Sequence, residues 1–205
     1  YGGIKLYGFD HRVFNNYFLG LTGTNHEAPL ALIPGTLDTP ATQNYGKKYD
    51  SLTTVPPTRA VIAFNTWIDC APLQFGFKKD RVRIHAPNEC TFANNLVVRT
   101  KLLSSPLVNL ALVCNLKARG NLGFVKGPVP REEWSVWFRF EEPHLRRTED
   151  GFGLWRLTET GTALDADVDM APAPDNDVFG RARSGRYNVG AEAFSKEAVL
   201  RQPLT

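Results

Sequence analysis

The stretch LVNLALVCNLKARGNLGFVKGPVPREEWSVWFRF, residues 107–140, carries two apolar runs, LVNLALVCNL and WSVWFRF. Between them lie two closely spaced glycines, then Gly127, Pro128 and Pro130. Each run is too short for a capped core helix and too apolar for a loop. Both are rich in Val, Leu, Trp and Phe, which fit a pleated, half-buried surface. The pattern predicts two core strands joined by a long, basic loop punctuated by Gly and Pro.

The rest of the chain fits such a core. Its 205 residues suit one large all-β domain or at most two small ones, and can bury a core without disulfides. The 14 prolines and 17 glycines break up long helices, while 13 Phe and 4 Trp supply bulk for a sandwich or barrel with many turns. A net charge of +3 is too small to condense nucleic acid by bulk charge, though a local basic face remains open. Cys70, Cys90 and Cys114 are odd in number and widely spaced. They suit buried free thiols in a reduced compartment rather than a disulfide framework or a metal site. No apolar run reaches the ~18 residues of a membrane span, and no signal peptide is visible. Residue 1 is Tyr and the only methionine is Met170, as expected of a fragment or a piece cut from a longer precursor.

Three segments are expected. Residues 1–58, rich in Gly, Thr, Pro and Asn, form an N-terminal arm and irregular β segment. Residues 59–170 form the core: AVIAFNTWI (60–68) reads as one strand, FGFKKDRVRI (75–84) as a hairpin turning at Lys79-Asp80, and FANNLVVRTKLL (92–103) as a short helix capped by Asn94 or Asn95, or else a strand. GFGLWRLT (151–158) is a further short strand. Residues 171–205 form an extended tail with one helical piece. No internal repeat is legible. The expected structural core is Trp67, Leu110, Leu112, Trp134 and Trp137.

Chemistry is sparse. Asp165, Asp167 and Asp169 share a strand face, but alternate residues lie about 6.6 Å apart, too wide to chelate one ion unaided. A solvated acidic face explains them, and no metal or other cofactor is expected. His85 reads as an ordinary strand-end histidine. No nucleophile elbow, Walker loop or dinucleotide fingerprint occurs. Basic clusters stand at Lys78, Lys79, Arg81 and Arg83, and in GRARSGRY at Arg181, Arg183 and Arg186. Of these, Lys78, Lys79, Arg181, Arg183 and Arg186 are candidates to track a phosphate backbone.

The order Asn95-Leu96-Val97-Val98-Arg99, then LVNLALVCNL, a Gly-containing basic loop, Arg131-Glu132-Glu133-Trp134 and SVWFRF resembles the central part of the jelly-roll coat proteins of plant picorna-like viruses, the secovirids (comovirus-like and cheravirus-like). The resemblance covers about residues 60–140. It implies an all-β, eight-stranded jelly-roll β-sandwich with extended N- and C-terminal arms. It also implies a structural capsid protein, not an enzyme, cut from a polyprotein. Its partners would be other coat subunits and genomic RNA, with no membrane, and its location the virion and the host cytoplasm during assembly. The alternatives are a β-sandwich binding module for carbohydrate or protein, and an enzyme using the three aspartates with a histidine as metal ligands.

Overall fold

The computed structural model describes residues 2–36, 54–77, 83–101, 105–113, 115–128, 136–149, 153–161, 171–183 and 188–194. The chain winds in coils, each laying down one short strand on each of three sheets. The first coil holds β1 (Ile4–Leu6), β2 (Arg12–Phe14) and β3 (Tyr17–Leu19). The second holds β4 (Leu30–Leu32), a side strand β5 (Gly35–Thr36), β6 (Val61–Ala63) and β7 (Thr66–Ile68). The third holds β8 (Leu73–Phe75), a side strand β9 (Arg83–His85), β10 (Thr91–Ala93) and β11 (Leu96–Arg99). The fourth holds β12 (Val108–Leu110), β13 (Lys117–Arg119) and β14 (Asn121–Val125), and β15 (Phe138–Phe140) begins another turn. The first sheet runs β1-β4-β8-β12, the second β13-β10-β6-β2 and the third β15-β14-β11-β7-β3. Every pairing within these three sheets is parallel, so the architecture is a parallel β-helix.

This corrects the expected jelly roll. The protein is all-β, but a jelly roll is built of antiparallel pairs. Here antiparallel pairing among the described residues is confined to β5 with β9, β16 (Arg146–Arg147) with β17 (Trp155–Arg156), and one isolated bridge. The reason lies at one corner. The run AVIAFNTWI is two strands, not one, because Phe64 adopts φ 55° and turns the chain before Asn65. The same left-handed residue recurs as Asn15 (φ 56°), Asn94 (φ 56°) and Gly120 (φ 70°). Asn and Gly visit that region at small cost, whereas an aromatic residue there must be held by its surroundings.

The residue after each bend is asparagine, and these stack into a ladder. Asn65 Oδ1 accepts from the Asn16 backbone N–H (3.0 Å) and Nδ2 (2.8 Å). Asn95 Oδ1 accepts from the N–H and Nδ2 of Asn65 (3.0 and 3.1 Å), and Asn121 Oδ1 from those of Asn95 (2.9 and 3.0 Å). Asn65, Asn95 and Asn121 are buried, so each bond satisfies a group that water cannot reach. The stretch expected as a helix or else a strand over 92–103 holds the strands Thr91–Ala93 and Leu96–Arg99 with a corner between them, its last two residues lying outside the described ones: Asn94 and Asn95 cap no helix and bend the chain. The hairpin turn expected at Lys79-Asp80 lies outside the described residues; of its flanking strands, β8 pairs with β4 and β12 while β9 pairs with β5. The segment expected as an arm and irregular β segment, residues 1–58, supplies β1 to β5, of which β1 to β4 pair within the coil stack and β5 in its side ribbon.

Inside the coils, side chains of like position stack. In the third sheet Phe18, Trp67, Val97 and Gly123 are in register. Phe18 and Trp67 stack at 5.3 Å, and Phe75, Phe92 and Phe138 pack edge-on beside them. Gly123 has no side chain because Leu107, Phe138 and Phe140 fill its place; a Cβ would lie 3.1 Å from each. The outer face of the third sheet is apolar too: Ile68, Leu96, Val98 and Leu122 are covered by Leu145, Leu157, Val189 and Phe194 from the C-terminal part. Both faces of this sheet are thus buried, as parallel sheets require.

Candidate functional site

The first sheet differs from the third in what stands outside it. Its outward row is Lys5, Ala31, Gln74 and Asn109, set by the strand register. Lys5 and Asn109 are exposed, whereas Ala31 packs with Ala28, Ile33 and Phe77. The loop carrying His26 is clamped to this edge. Gly3 N–H donates to the Ala28 carbonyl (3.2 Å) and Ile4 N–H to that of Pro29 (3.1 Å). A Cβ on Gly3 would sit 2.0 Å from the Pro29 oxygen, so only glycine permits the approach. His26 stacks on Phe77 with ring centroids 4.4 Å apart and planes 18° apart. The β5–β9 ribbon brings Arg83 to the same place, opposite Thr36.

Burial, and then the nearby charges of Arg83 and Lys5, hold the His26 imidazole below its ordinary pKa. The ring's neutral form is favoured, with two cations nearby. Such a face attracts carboxylates, offers two cationic donors to them, and keeps an imidazole able to accept a proton or a hydrogen bond. The stacked His26–Phe77 pair gives it a flat aromatic rim.

The residues singled out by sequence fall elsewhere. Lys78, Lys79, Arg186, Trp134, Cys114 and the aspartates Asp165, Asp167 and Asp169 lie outside the described residues. No metal-ligating cluster occurs among the described residues. Arg181 and Arg183 are 2% and 6% exposed, so neither is placed to meet a phosphate backbone. Arg181 donates from Nε and Nη2 to Asp177 Oδ2 (3.0 and 2.8 Å) and from Nη2 to Glu192 Oε1 (2.9 Å). Arg183 donates to the Asn188 and Gly190 carbonyls and lies over the Phe64 ring. Arg183, which also donates to Asn15 Oδ1 (3.0 Å), ties the C-terminal segment to the asparagine corner, while Arg181 braces that segment from within. Trp67 is fully buried and Trp137 packs on the core, Leu112 is half-buried, and Leu110 is 38% exposed at the open edge of the first sheet. His85 ends β9. Cys70 and Cys90 are free and buried, and burial pushes the Cys70 thiol up to about 11. Lys5 and His26 were missed by sequence reasoning; Arg83 stood in a basic cluster but without its partners.

Residues 1–127 match the Chondroitinase B family model, so the chain belongs to that family. Among solved structures it is similar to the PL6 family alginate lyase AlyGC, with 22% identity over 78% of this chain and 20% of that one, and a TM-score of 0.60. It is also similar to a PL6 alginate lyase in complex with trisaccharide, with 18% identity over 82% of this chain and 37% of that one, and a TM-score of 0.53. These likenesses show the fold. The chain spans about a fifth of the length of AlyGC. No curated protein matches it.

The family overturns the coat-protein resemblance and what followed from it: a non-enzymatic capsid role, coat subunits and genomic RNA as partners, and a virion location. The pattern of residues 60–140 that suggested a viral roll is the repeating strand–Asn–strand corner of a polysaccharide-lyase-like β-helix. The carbohydrate-binding alternative agrees better with the family than the coat-protein reading did, though on a helix rather than a sandwich.

Proposed function

We propose that this chain is part of a lyase acting on an acidic polysaccharide, and that the first-sheet face around Lys5, His26 and Arg83 holds the polymer's carboxylates. The supporting observation is the His26 ring, stacked on Phe77 and within reach of the charges of Arg83 and Lys5, on a β-helix of the Chondroitinase B family. In elimination from a uronate a base takes the proton beside the carboxylate, the freed electron pair forms a carbon–carbon double bond in the sugar, and the glycosidic oxygen leaves with its bonding pair and is protonated to a hydroxyl. The negative charge that develops next to the carboxylate is stabilised by fixed cations. Lys5 and Arg83 supply that charge, and the His26–Phe77 pair supports the ring.

Calorimetric titration with alginate and with a neutral glucan tests this. Alginate binds, the neutral glucan does not, and binding weakens with added salt. Replacing Lys5 and Arg83 together by alanine lowers alginate affinity by at least about tenfold, the loss of one to two charge-assisted contacts. Equal binding of both polymers, or a double variant that binds like the parent, would refute the assignment.

A further inference from the structure

A second site lies on the third sheet, well apart in the fold from the first-sheet face. Where the C-terminal segment crosses the ends of β11 and β14, a cavity of about 370 Å³ opens. That volume falls at the small end of the ~300–1,000 Å³ of small-molecule sites. Apolar Phe124, Leu145 and Trp155 line it together with the polar side chains of Lys126, Glu142 and His144. Trp155 is pinned: its backbone N–H donates to the Tyr17 hydroxyl at 2.8 Å, and that hydroxyl reaches the Trp155 carbonyl at 3.2 Å. The β16–β17 pair, with Arg147 opposite Trp155, holds it from the other side. Burial raises the Tyr17 pKa, so the phenol keeps the proton that makes this clamp.

Aromatic and aliphatic side chains lining one cavity with a cation, an imidazole and a carboxylate match one kind of ligand. A pyranose ring is apolar on its faces and hydroxylated at its rim, and a uronate adds one anionic group. Resting on the reading that the polymer is an acidic polysaccharide, we infer that this cavity is a separate sugar site for one uronate unit. The ring stacks on Trp155 and Phe124, its carboxylate meets Lys126, and Glu142 accepts from its hydroxyls. Such a site tethers the chain of sugars while the first-sheet face works on another part of it, and two linked contacts raise the effective affinity for long polymers over short ones.

The test is amide chemical-shift mapping of the whole chain with an alginate trisaccharide and with maltotriose, on the parent, Lys126→Glu and the Lys5→Ala/Arg83→Ala pair. Lys126 is exposed, so its replacement leaves the fold intact. The trisaccharide shifts the amides of residues 98, 124, 145 and 155, in the parent and in the first-sheet pair alike. Lys126→Glu weakens those shifts by at least about tenfold in apparent affinity while leaving the amides of residues 5, 26 and 83 responsive. Silent cavity amides, shifts unchanged in Lys126→Glu, or equal shifts with maltotriose would each overturn the assignment. Responsive cavity amides with a silent first-sheet face would sustain it and sink the first-sheet reading instead.

Discussion

Replacing Asn95 by alanine removes the middle rung of the corner ladder. Its Oδ1 accepts the Asn65 backbone N–H (3.0 Å) and Nδ2 (3.1 Å), and its Nδ2 donates to the Ile62 carbonyl (3.0 Å) and to Asn121 Oδ1 (3.0 Å). Asn65 Nδ2 keeps acceptors in the Val13 and Ala63 carbonyls, so its loss is small. The Asn65 N–H is different: it is fully buried and left without an acceptor, at about 1–3 kcal/mol. The two donated bonds add ~0.5–1.5 kcal/mol each. The sum is about 4 kcal/mol. Asn16→Ala is the internal control. Asn16 is half-buried at the first rung, where water replaces what is lost, and about 1 kcal/mol is expected. Urea unfolding followed by tryptophan fluorescence gives both values. Hydrogen exchange, read coil by coil, shows whether opening begins at the altered corner, since stacked coils can unfold in part. If the two variants cost the same and both stay under about 1 kcal/mol, the ladder is decoration and the corner is held by the strands alone.

Two further outcomes follow from the ionic groups. Glu192 accepts from Arg156 Nε (2.6 Å), Arg181 Nη2 (2.9 Å) and the Leu157 N–H (2.8 Å), all in the protein's interior. Glu192→Gln leaves Arg181 paired only to Asp177 and lowers stability by about 3 kcal/mol, as breaking a buried pair does; a melting temperature unchanged from the parent would contradict this. Burial first, and then the Arg83 and Lys5 charges, hold the His26 imidazole below the ordinary histidine pKa of 6.5. Its folded pKa is the lower one, so the unfolded chain binds more protons just below 6.5. The His26 contribution therefore falls as pH drops through 6.5 and levels off below the folded pKa. The imidazole titration followed by NMR should move upward in pH in Lys5→Ala; no movement would show that the Lys5 charge contributes nothing to it.

The all-β class was legible because short, aromatic and β-branched runs between Gly and Pro leave little else. The parallel helix was not. Residues 60–68 read as one strand because no Gly or Pro marks the bend; Phe64 makes the left-handed turn, against its own preference, and Asn65 anchors it. Residues 96–99 are buried on both faces, so two-residue alternation vanishes and a helix looks equally good. The signal that would have served is an asparagine opening an apolar triplet, at Asn16, Asn65, Asn95 and, with Gly123 in the middle, Asn121. Its sequence separations of 49, 30 and 26 residues hide it from any search at fixed period. The site was harder still. Lys5, His26 and Arg83 come from a strand, a single helical turn and a side ribbon, and only the stacking of coils makes them neighbours. The third-sheet cover was invisible because Arg181 and Arg183, read as basic surface, are consumed inside the protein.

The ladder also has a direction. Every carboxamide accepts from the coil before it, so each rung is complete only once the next coil has arrived. At the far end Asn121 donates to the Trp137 carbonyl, which offers no carboxamide to carry the series on. Growth of such a molecule is therefore polar, like a zip with one open end. A duplicated coil inserted between two rungs meets a donor on one side and an acceptor on the other, and joins without leaving either unmatched. Lengthening by whole coils is cheap at this corner, and loss of a single asparagine is not.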